Sequence, residues 1–286
     1  MSEQHLISVV VTTYNRSEAL AVVLAGLQSQ TDMHFEVVIA DDGSRPAHRA
    51  GVEACAPRCG FPLAHVWHPD VGFTVSRARN LGVSQTRGEY LVFLDGDCVP
   101  HADFIAQHRR LMQAACLVNG SRCLLSQRFT QQVIRDGLAI SRKPYSYWLQ
   151  RWREGDASKL APLLRMPDMP LRLESGFRWR GIRSCNMGVW RADFEKVNGF
   201  DTSFLGWGHE DADLVLRLSH AGVRRKNGFF ATEVFHLWHE EASRDRASLN
   251  EGTVRERMRS GLVRAAQGLD ECKDVEDFEI TTFANW

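Results

Sequence analysis

Asp95, Gly96 and Asp97 directly follow the apolar run YLVFL. Side chains two apart on an extended chain project to the same side, so the two carboxylates can share one small space. Such a pair of hard oxygen donors suits Mg2+ or Mn2+, ions that keep open positions for diphosphate oxygens. The glycine between them lets backbone and ligand approach closely. A second acidic pair, Glu210 and Asp211, follows Gly206-Trp207-Gly208-His209 and opens a predicted helix. Acids in a first turn can be ordinary helix-dipole charge, but the GWG segment makes a loop that a helix cap alone does not require. Trp207 is either an apolar platform for a ligand or a core tryptophan. His236 and His239 stand three apart at the end of ATEVF, and imidazole suits Mn2+ better than Mg2+. One of them is expected to complete a metal shell. His236 is preferred because it directly follows the apolar run, which leaves His239 as a surface or supporting histidine.

These groups need a frame. Leu6 to Thr12 (LISVVVT) reads as a buried strand. From Ser17, Leu20, Val23, Leu24 and Leu27 fall at the spacing of an amphipathic helix. Glu36 to Ala40 is a second strand, stopped by the turn formers Asp41-Asp42-Gly43-Ser44. Leu63 to Trp67 is a weaker strand, a helix runs from Val75 to Gln85, and Tyr90 to Leu94 is a fourth strand. This order predicts an α/β fold, an open and mostly parallel Rossmann-like sheet flanked by helices. Ligands of such sheets sit at the carboxyl ends of the strands. Those ends carry Thr12 and Tyr14, Asp41 and Asp42, and Asp95 and Asp97.

Residues 126–180 are rich in Arg, Trp and Pro with poor periodicity, and read as an insertion of loops and short helices over the sheet of a single domain. The predicted parts are therefore 1–125, the insertion 126–180, a second half 181–243 and a helical tail 244–286. SCNMGVW reads as a strand, a helix runs from Glu210 to before Gly222, and Val254, Met258 and Leu262 lie four apart in the tail. The chain has 286 residues, 44% of them hydrophobic, enough for a sizeable core. Lys+Arg and Asp+Glu each total 35, so the neutral balance gives no electrostatic case for nucleic acid. MSEQHLISVV lacks the features of a signal peptide and no long apolar run spans a bilayer. Cys55 and Cys59 have no second pair to complete a zinc site, and the seven scattered cysteines fit a reducing cytosol.

The segments VVVTTYNR, VVIADDGS, SRARNLGVSQTRGEYLVFLDGDCVP and GWGHEDADLVLRL, in this order, resemble the family-two inverting glycosyltransferases with the GT-A fold. NMGVWRADFEKVNGFD followed by GWGHEDADL is similar to chondroitin-polymerase and β-1,4-galactosyltransferase domains. The resemblance covers roughly residues 6–125 and 181–240. It implies that Thr12, Tyr14 and Asp42 hold the nucleotide base, Asp42 by accepting from a ring N–H. Asp41 beside it is either part of that site or structural. Arg79 and Asn80 would face the donor, Asp95 would reach the ribose or the metal, and Asp97 would bind the metal. Asp211 would be the general base, with Glu210 a ligand for acceptor or donor hydroxyls. His209 stands where the family has a second glycine, which puts the loop shape and the acceptor choice in question.

The resemblance thus implies a Mn2+- or Mg2+-dependent transferase that moves a sugar from a nucleotide donor, UDP favoured, to a glycan or lipid-linked glycan acceptor such as lipopolysaccharide or capsule. The expected place is the cytoplasm, at the inner face of the membrane. Thr130 to Arg153, rich in Trp, Tyr and Arg, is a candidate for peripheral membrane contact. Arg178, Arg180 and Arg183 around Trp179 either grip an anionic group or form a solvated face. The rival reading is a catalytically inactive nucleotide- or sugar-binding module of the same fold. P-loop and dinucleotide fingerprints are missing from the sequence.

Overall fold

The computed structural model describes residues 4–240, 245–273, 275–283 and 286. Strand β1 (Ile7–Thr13) leads into α1 (Ser17–Gln28), β2 (Phe35–Asp41), α2 (Pro46–Cys55), β3 (Leu63–Trp67) and α3 (Val75–Ser84). Then come β4 (Tyr90–Asp95), β5 (Cys98–Pro100), α4 (Phe104–Leu111), β6 (Cys116–Asn119), β7 (Arg122–Leu124), α5 (Gln127–Asp136) and α6 (Tyr145–Arg153). The chain continues through β8 (Asn186–Trp190), α7 (Arg191–Lys196), α8 (Glu210–His220), β9 (Arg224–Asn227) and β10 (Val234–His236). It closes with α9 (Ala247–Ser260), α10 (Leu269–Lys273) and β11 (Glu279–Thr282).

Among the described residues, eight strands form one sheet in the order β11-β3-β2-β1-β4-β8-β6-β9. The centre is parallel: β1 pairs with β2 and β4, and β2 with β3. Strand β8 runs antiparallel between β4 and β6, and β11 runs antiparallel to β3 at the edge. The sheet is thus mostly parallel, as expected. Its strands are apolar on both faces because helices cover both. Ile7, Val9 and Val11 of β1 pack with Leu20, Val23 and Leu24 of α1, whereas Val10 faces Ala78 and Val83 of α3. Helix α3 lies close against the sheet at Gly82, where a Cβ would come within 3.0 Å of Ala40 and Val10.

A small second sheet, β5-β10-β7, stands beside the first. Residues 126–180 lie partly against it. Helix α5 is capped by the Ser126 hydroxyl, which accepts from the Phe129 N–H, and stops at Gly137 in the left-handed region. In α6, Trp148 is buried and stacks on Phe235 of β10 at 3.9 Å. Of the aromatic residues in the segment considered for peripheral membrane contact, Trp148 is core, whereas Tyr145 and Trp152 are exposed. Among the described residues no helix is long and apolar enough to cross a membrane.

The tail departs from its predicted pattern. Arg244, where the helical tail was expected to begin, lies outside the described residues. Helix α9 buries Val254 but leaves Met258 48% exposed, and it ends before Leu262 at Gly261 with φ 69°. The fourfold spacing that continues to Leu262 therefore crosses a helix end.

Candidate active site

The carboxyl ends of β1, β2 and β4, the first turn of α8 and the end of β10 open into one cleft of about 780 Å³. That is the size of a site for a substrate of drug or cofactor dimensions. Register brings the first groups there. Thr12 is the parallel neighbour of Asp95, and the Gly96 N–H donates to the Thr12 carbonyl at 2.7 Å. A Cβ on Gly96 would sit 2.9 Å from that carbonyl oxygen. The close approach for which this glycine is needed is thus to β1, and it swings Asp97 out of the strand into the cleft.

Asp97 collects cations and imidazoles. Arg16 donates to its Oδ2 at 2.9 Å, His239 Nε2 lies 3.3 Å from Oδ2, and His236 Nε2 lies 3.6 Å from Oδ1. Burial, with Arg122 and His239 adding to it, holds the His236 imidazole down to about 3. It is therefore neutral at physiological pH, the form that ligates metals. Both histidines face the same carboxylate, and His236 belongs with Asp97 and Cys98 to a group whose donor atoms all lie within 4.8 Å of one another.

Arg79 ties Asp95 to the opposite wall. Its guanidinium donates to Thr12 Oγ1 at 3.2 Å, Asp95 Oδ1 at 3.1 Å and Glu210 Oε1 at 3.3 Å. It also lies 5.1 Å from the Phe200 ring centroid. One buried arginine thus holds β1, β4 and the start of α8 in fixed relation. Glu210 keeps its second oxygen, Oε2, buried without a hydrogen-bond partner among the described residues. Such an atom costs free energy unless something else engages it.

Asp211 sits beside it. Among the described residues its carboxylate accepts only from backbone N–H groups, of Ala212 at 2.7 Å and of Ser184 at 3.4 Å. Burial and then the neighbouring Glu210 push it up to about 7, with Arg79 opposing them. A carboxylate that ionises near neutrality is a competent base at that pH. The loop that delivers this pair has Gly206, Gly208 and His209 all at positive φ, with His209 at 71°. His209 therefore adopts a backbone conformation that favours glycine, and its ring packs edge-on against Trp179 at 5.3 Å. Trp179, Trp207 and Trp238 all line the cleft, Trp207 and Trp238 being 40% and 38% exposed.

At the other end, Asp42 lines the cleft, but both of its oxygens are engaged. Thr74 Oγ1 donates to Oδ1 at 2.6 Å, the Thr74 N–H donates to Oδ2 at 3.0 Å, and His68 Nε2 lies 3.2 Å from Oδ1. Asp41 is fully buried against His65 at 2.9 Å and so takes the structural alternative. Tyr14 is 45% exposed at the rim, its hydroxyl donating to Asp70 at 2.9 Å. Asn80 corrects an expectation: it does not line the cleft. Its side-chain amide donates to the Phe200 carbonyl at 2.7 Å and accepts from the Phe200 N–H at 3.0 Å, fully buried. It faces away from any donor because α3 turns it toward the loop preceding GWGHED. Asn80→Ala leaves two buried backbone groups unpaired and is expected to cost about 1–3 kcal/mol, measurable by urea unfolding; an unchanged midpoint contradicts the assignment.

Sequence reasoning passed over Arg16, Arg122, Cys98, Cys185 and Trp238, which line or adjoin the cleft. Arg16 had a signal, its place just after a strand end. Of the arginines around Trp179, Arg183 lines this cleft, while Arg178 and Arg180 offer backbone carbonyls to Arg225.

The parallel-centred sheet thus gathers acidic groups from several strand ends around one cleft, and its structural neighbours are glycosyltransferases of the GT-A fold class. The family follows from the sequence. The pattern described as Glycosyl transferase family 2 matches residues 8–156, and that described as N-terminal domain of galactosyltransferase matches residues 172–240. The chain belongs to glycosyl transferase family 2 and so to the glycosyltransferase class of enzymes. It is 29% identical over 235 residues to validoxylamine A glucosyltransferase of Streptomyces hygroscopicus subsp. jinggangensis, covering 76% of this chain and 52% of that protein. It is 24% identical over 257 residues to chondroitin synthase of Escherichia coli, covering 82% of this chain and 34% of that one. The chain thus spans about half of the first relative's length and a third of the second's. The mannosyltransferase PcManGT from Pyrobaculum calidifontis, solved in complex with GDP-Man and Mn2+, shares the fold with a TM-score of 0.56 at 15% identity, over 95% of this chain and 70% of that one.

Proposed function

We propose that this chain is a metal-dependent inverting glycosyltransferase that moves one sugar from a UDP-sugar, such as UDP-galactose, UDP-N-acetylgalactosamine or UDP-N-acetylglucosamine, to a hydroxyl of a cell-surface glycan. Lipopolysaccharide or capsule under assembly on the cytoplasmic side is the proposed acceptor class. The observation that carries the reading is the placement of Asp211, poised near neutral pH, in the same cleft as Asp95, Asp97 and two histidines. Residues 1–125 would hold the donor and 181–243 the acceptor, with 126–180 as the acceptor-side insertion and 244–286 as the helical tail.

The residues fit a divalent ion. A carboxylate, a neutral imidazole and a second nearby carboxylate on Asp95 are donors suited to Mn2+ or Mg2+. Asp97 and His236 would hold it, with Asp95 beside them and His239 in support. When bound, such an ion stabilises charge on the leaving diphosphate as a Lewis acid. The chain's own groups supply the rest. Thr12, Tyr14 and Asp42 flank the base and ribose. Because Asp42 is already held by Thr74 through both oxygens, it would accept a ring N–H on a remaining lone pair, in an orientation fixed beforehand. Arg16 and Arg122 add positive charge near the acidic pair. Glu210 offers its unpaired oxygen to a sugar hydroxyl, and Trp207 its ring to a sugar face.

Asp211 accepts the acceptor hydroxyl proton as that oxygen attacks the anomeric carbon from the face opposite the leaving group. Holding both substrates in this geometry is itself a large part of the rate enhancement. The configuration inverts because there is one displacement. The experiment is product analysis by NMR with an α-linked UDP-sugar, Mn2+ and a panel of glycan acceptors. A β linkage is expected, and an α linkage contradicts the single-displacement role of Asp211.

A further inference from the structure

Cys98 opens β5 directly after Asp97, and its Cα pairs with that of His236 across the antiparallel β5–β10 ladder. Directly opposed residues of an antiparallel pair carry their side chains to the same face, with Cβ atoms about 4.5–5.5 Å apart. The donor atoms reflect this. Cys98 Sγ lies 3.5 Å from Asp97 Oδ1, and His236 Nε2 lies 3.6 Å from the same oxygen. One donor atom from each of the three residues falls within 4.8 Å of the other two. Cys98 is fully buried, and Arg122 of β7 lies near both Cys98 and Asp97, where it offsets negative charge.

Sulfur, imidazole nitrogen and carboxylate oxygen are donors that zinc takes in combination, with a fourth position left open in catalytic sites. Mn2+ and Mg2+ are harder ions and favour oxygen over sulfur. We propose that Cys98 supplies a thiolate to the ion held by Asp97 and His236, making this a Cys-His-Asp site that takes Zn2+ or Cd2+ through a sulfur–metal bond in competition with Mn2+ or Mg2+. This deepens, and rests on, the reading of Asp97 and His236 as metal ligands. On binding, the S–H proton passes to the buffer and the S–metal bond forms; nothing is oxidised or reduced. Zinc or cadmium then displaces the hard ion and holds the site with a different ligand set.

The test uses Co2+ as a spectroscopic stand-in for Zn2+, on the full chain carrying Cys55→Ser and Cys59→Ser so that the other close thiol pair is silent. A thiolate-to-cobalt charge-transfer absorption is expected in the near ultraviolet, saturating at one ion per chain and bleached by Zn2+. Cys98→Ser abolishes it, with Cys98→Ala as a substitute should serine not fold at this buried position. Cys185→Ser, which alters the thiol lying against Cys98, leaves the band; a band lost in Cys185→Ser but kept in Cys98→Ser assigns the sulfur to Cys185 and overturns the proposal. Absence of the band before any change at Cys98 overturns the proposal, as does a band that survives the loss of Cys98. Mn2+-dependent UDP binding on the same sample separates the two readings. UDP binding without a cobalt band removes only the sulfur ligand, whereas loss of both removes the metal site as well.

Discussion

Asp211→Asn lowers turnover by about 10²–10⁴-fold, the range for removing a general base, while UDP binding in the presence of Mn2+ stays within about two-fold of the unmodified chain. The substitution keeps the shape of the side chain and an oxygen for the shorter backbone contact, from the Ala212 N–H, but gives up the long one from Ser184 and removes the group that takes the proton. The pH dependence gives an independent check. Asp211 is raised to about 7 by burial and by Glu210, so kcat of the unmodified protein rises with pH through that region and levels off above it. Stability runs the other way. The folded chain holds this proton more tightly than the unfolded chain does, so the contribution to folding is complete below the ordinary carboxylate range. It is lost as pH rises from there through about 7. Asp211→Asn, which never ionises, is therefore more heat-stable than the unmodified chain above neutrality, and the difference closes toward acid pH. Equal loss of activity and of donor binding would instead mark Asp211 as structural.

The second large effect is expected from His236 and His239 together. Replacing both with Gln removes the two imidazoles that face Asp97. Mn2+-dependent turnover is expected to fall by more than about 100-fold, beyond the loss typical of residues that only support a ligand. Direct titration with Mn2+ should show the matching loss of metal binding, and the circular dichroism spectrum should be unchanged because both side chains sit at the cleft. The single variants rank the pair. His236, buried and neutral within the three-donor group, is expected to carry most of the effect. His239, whose Nδ1 is shared with the Glu240 carbonyl at 2.7 Å, carries less. Full activity in the double variant removes both from the metal site.

How much of this was legible beforehand depended on how local each signal was. The central parallel strands and the helices α1, α3 and α8 were readable because each carries an apolar pattern long enough to show its period. Helix α2 was not, since only Val52 of its ten residues is buried. Helix α4 was not, since Phe104, Ile105, His108 and Leu111 mark barely two turns. Helices α5 and α6 hid in the Arg- and Trp-rich stretch, because Phe129 packs on Trp148 and Trp148 on Phe235 of β10, which lies far along the chain.

The acidic groups at strand ends and the Glu210-Asp211 pair were found by type and position. What sequence could not supply was direction. Asn80 and Arg79 are adjacent on one helix, yet Arg79 reaches three cleft residues and Asn80 clamps Phe200 from behind. Cys98 meets His236 through their pairing across a short antiparallel ladder, and no sequence periodicity announces a three-residue strand. His209 looked like a departure from a glycine position, but its backbone keeps the left-handed conformation at φ 71°. A left-handed residue is thus accommodated there without a glycine, and the imidazole adds a contact to Trp179.

The central claim is that one cleft holds a nucleotide diphosphate through a metal at Asp97. The most direct test is the thermal midpoint of the purified chain with UDP, GDP, dTDP or CDP, each with and without Mn2+. A ligand bound only by the folded state stabilises it by about 2.7 kcal/mol at a hundred times its Kd, which for a chain of this size is a shift of several degrees. The account predicts a shift with UDP that requires Mn2+ and disappears in Asp97→Asn. No shift with any nucleotide at millimolar concentration, or a UDP shift indifferent to both Mn2+ and Asp97→Asn, contradicts it.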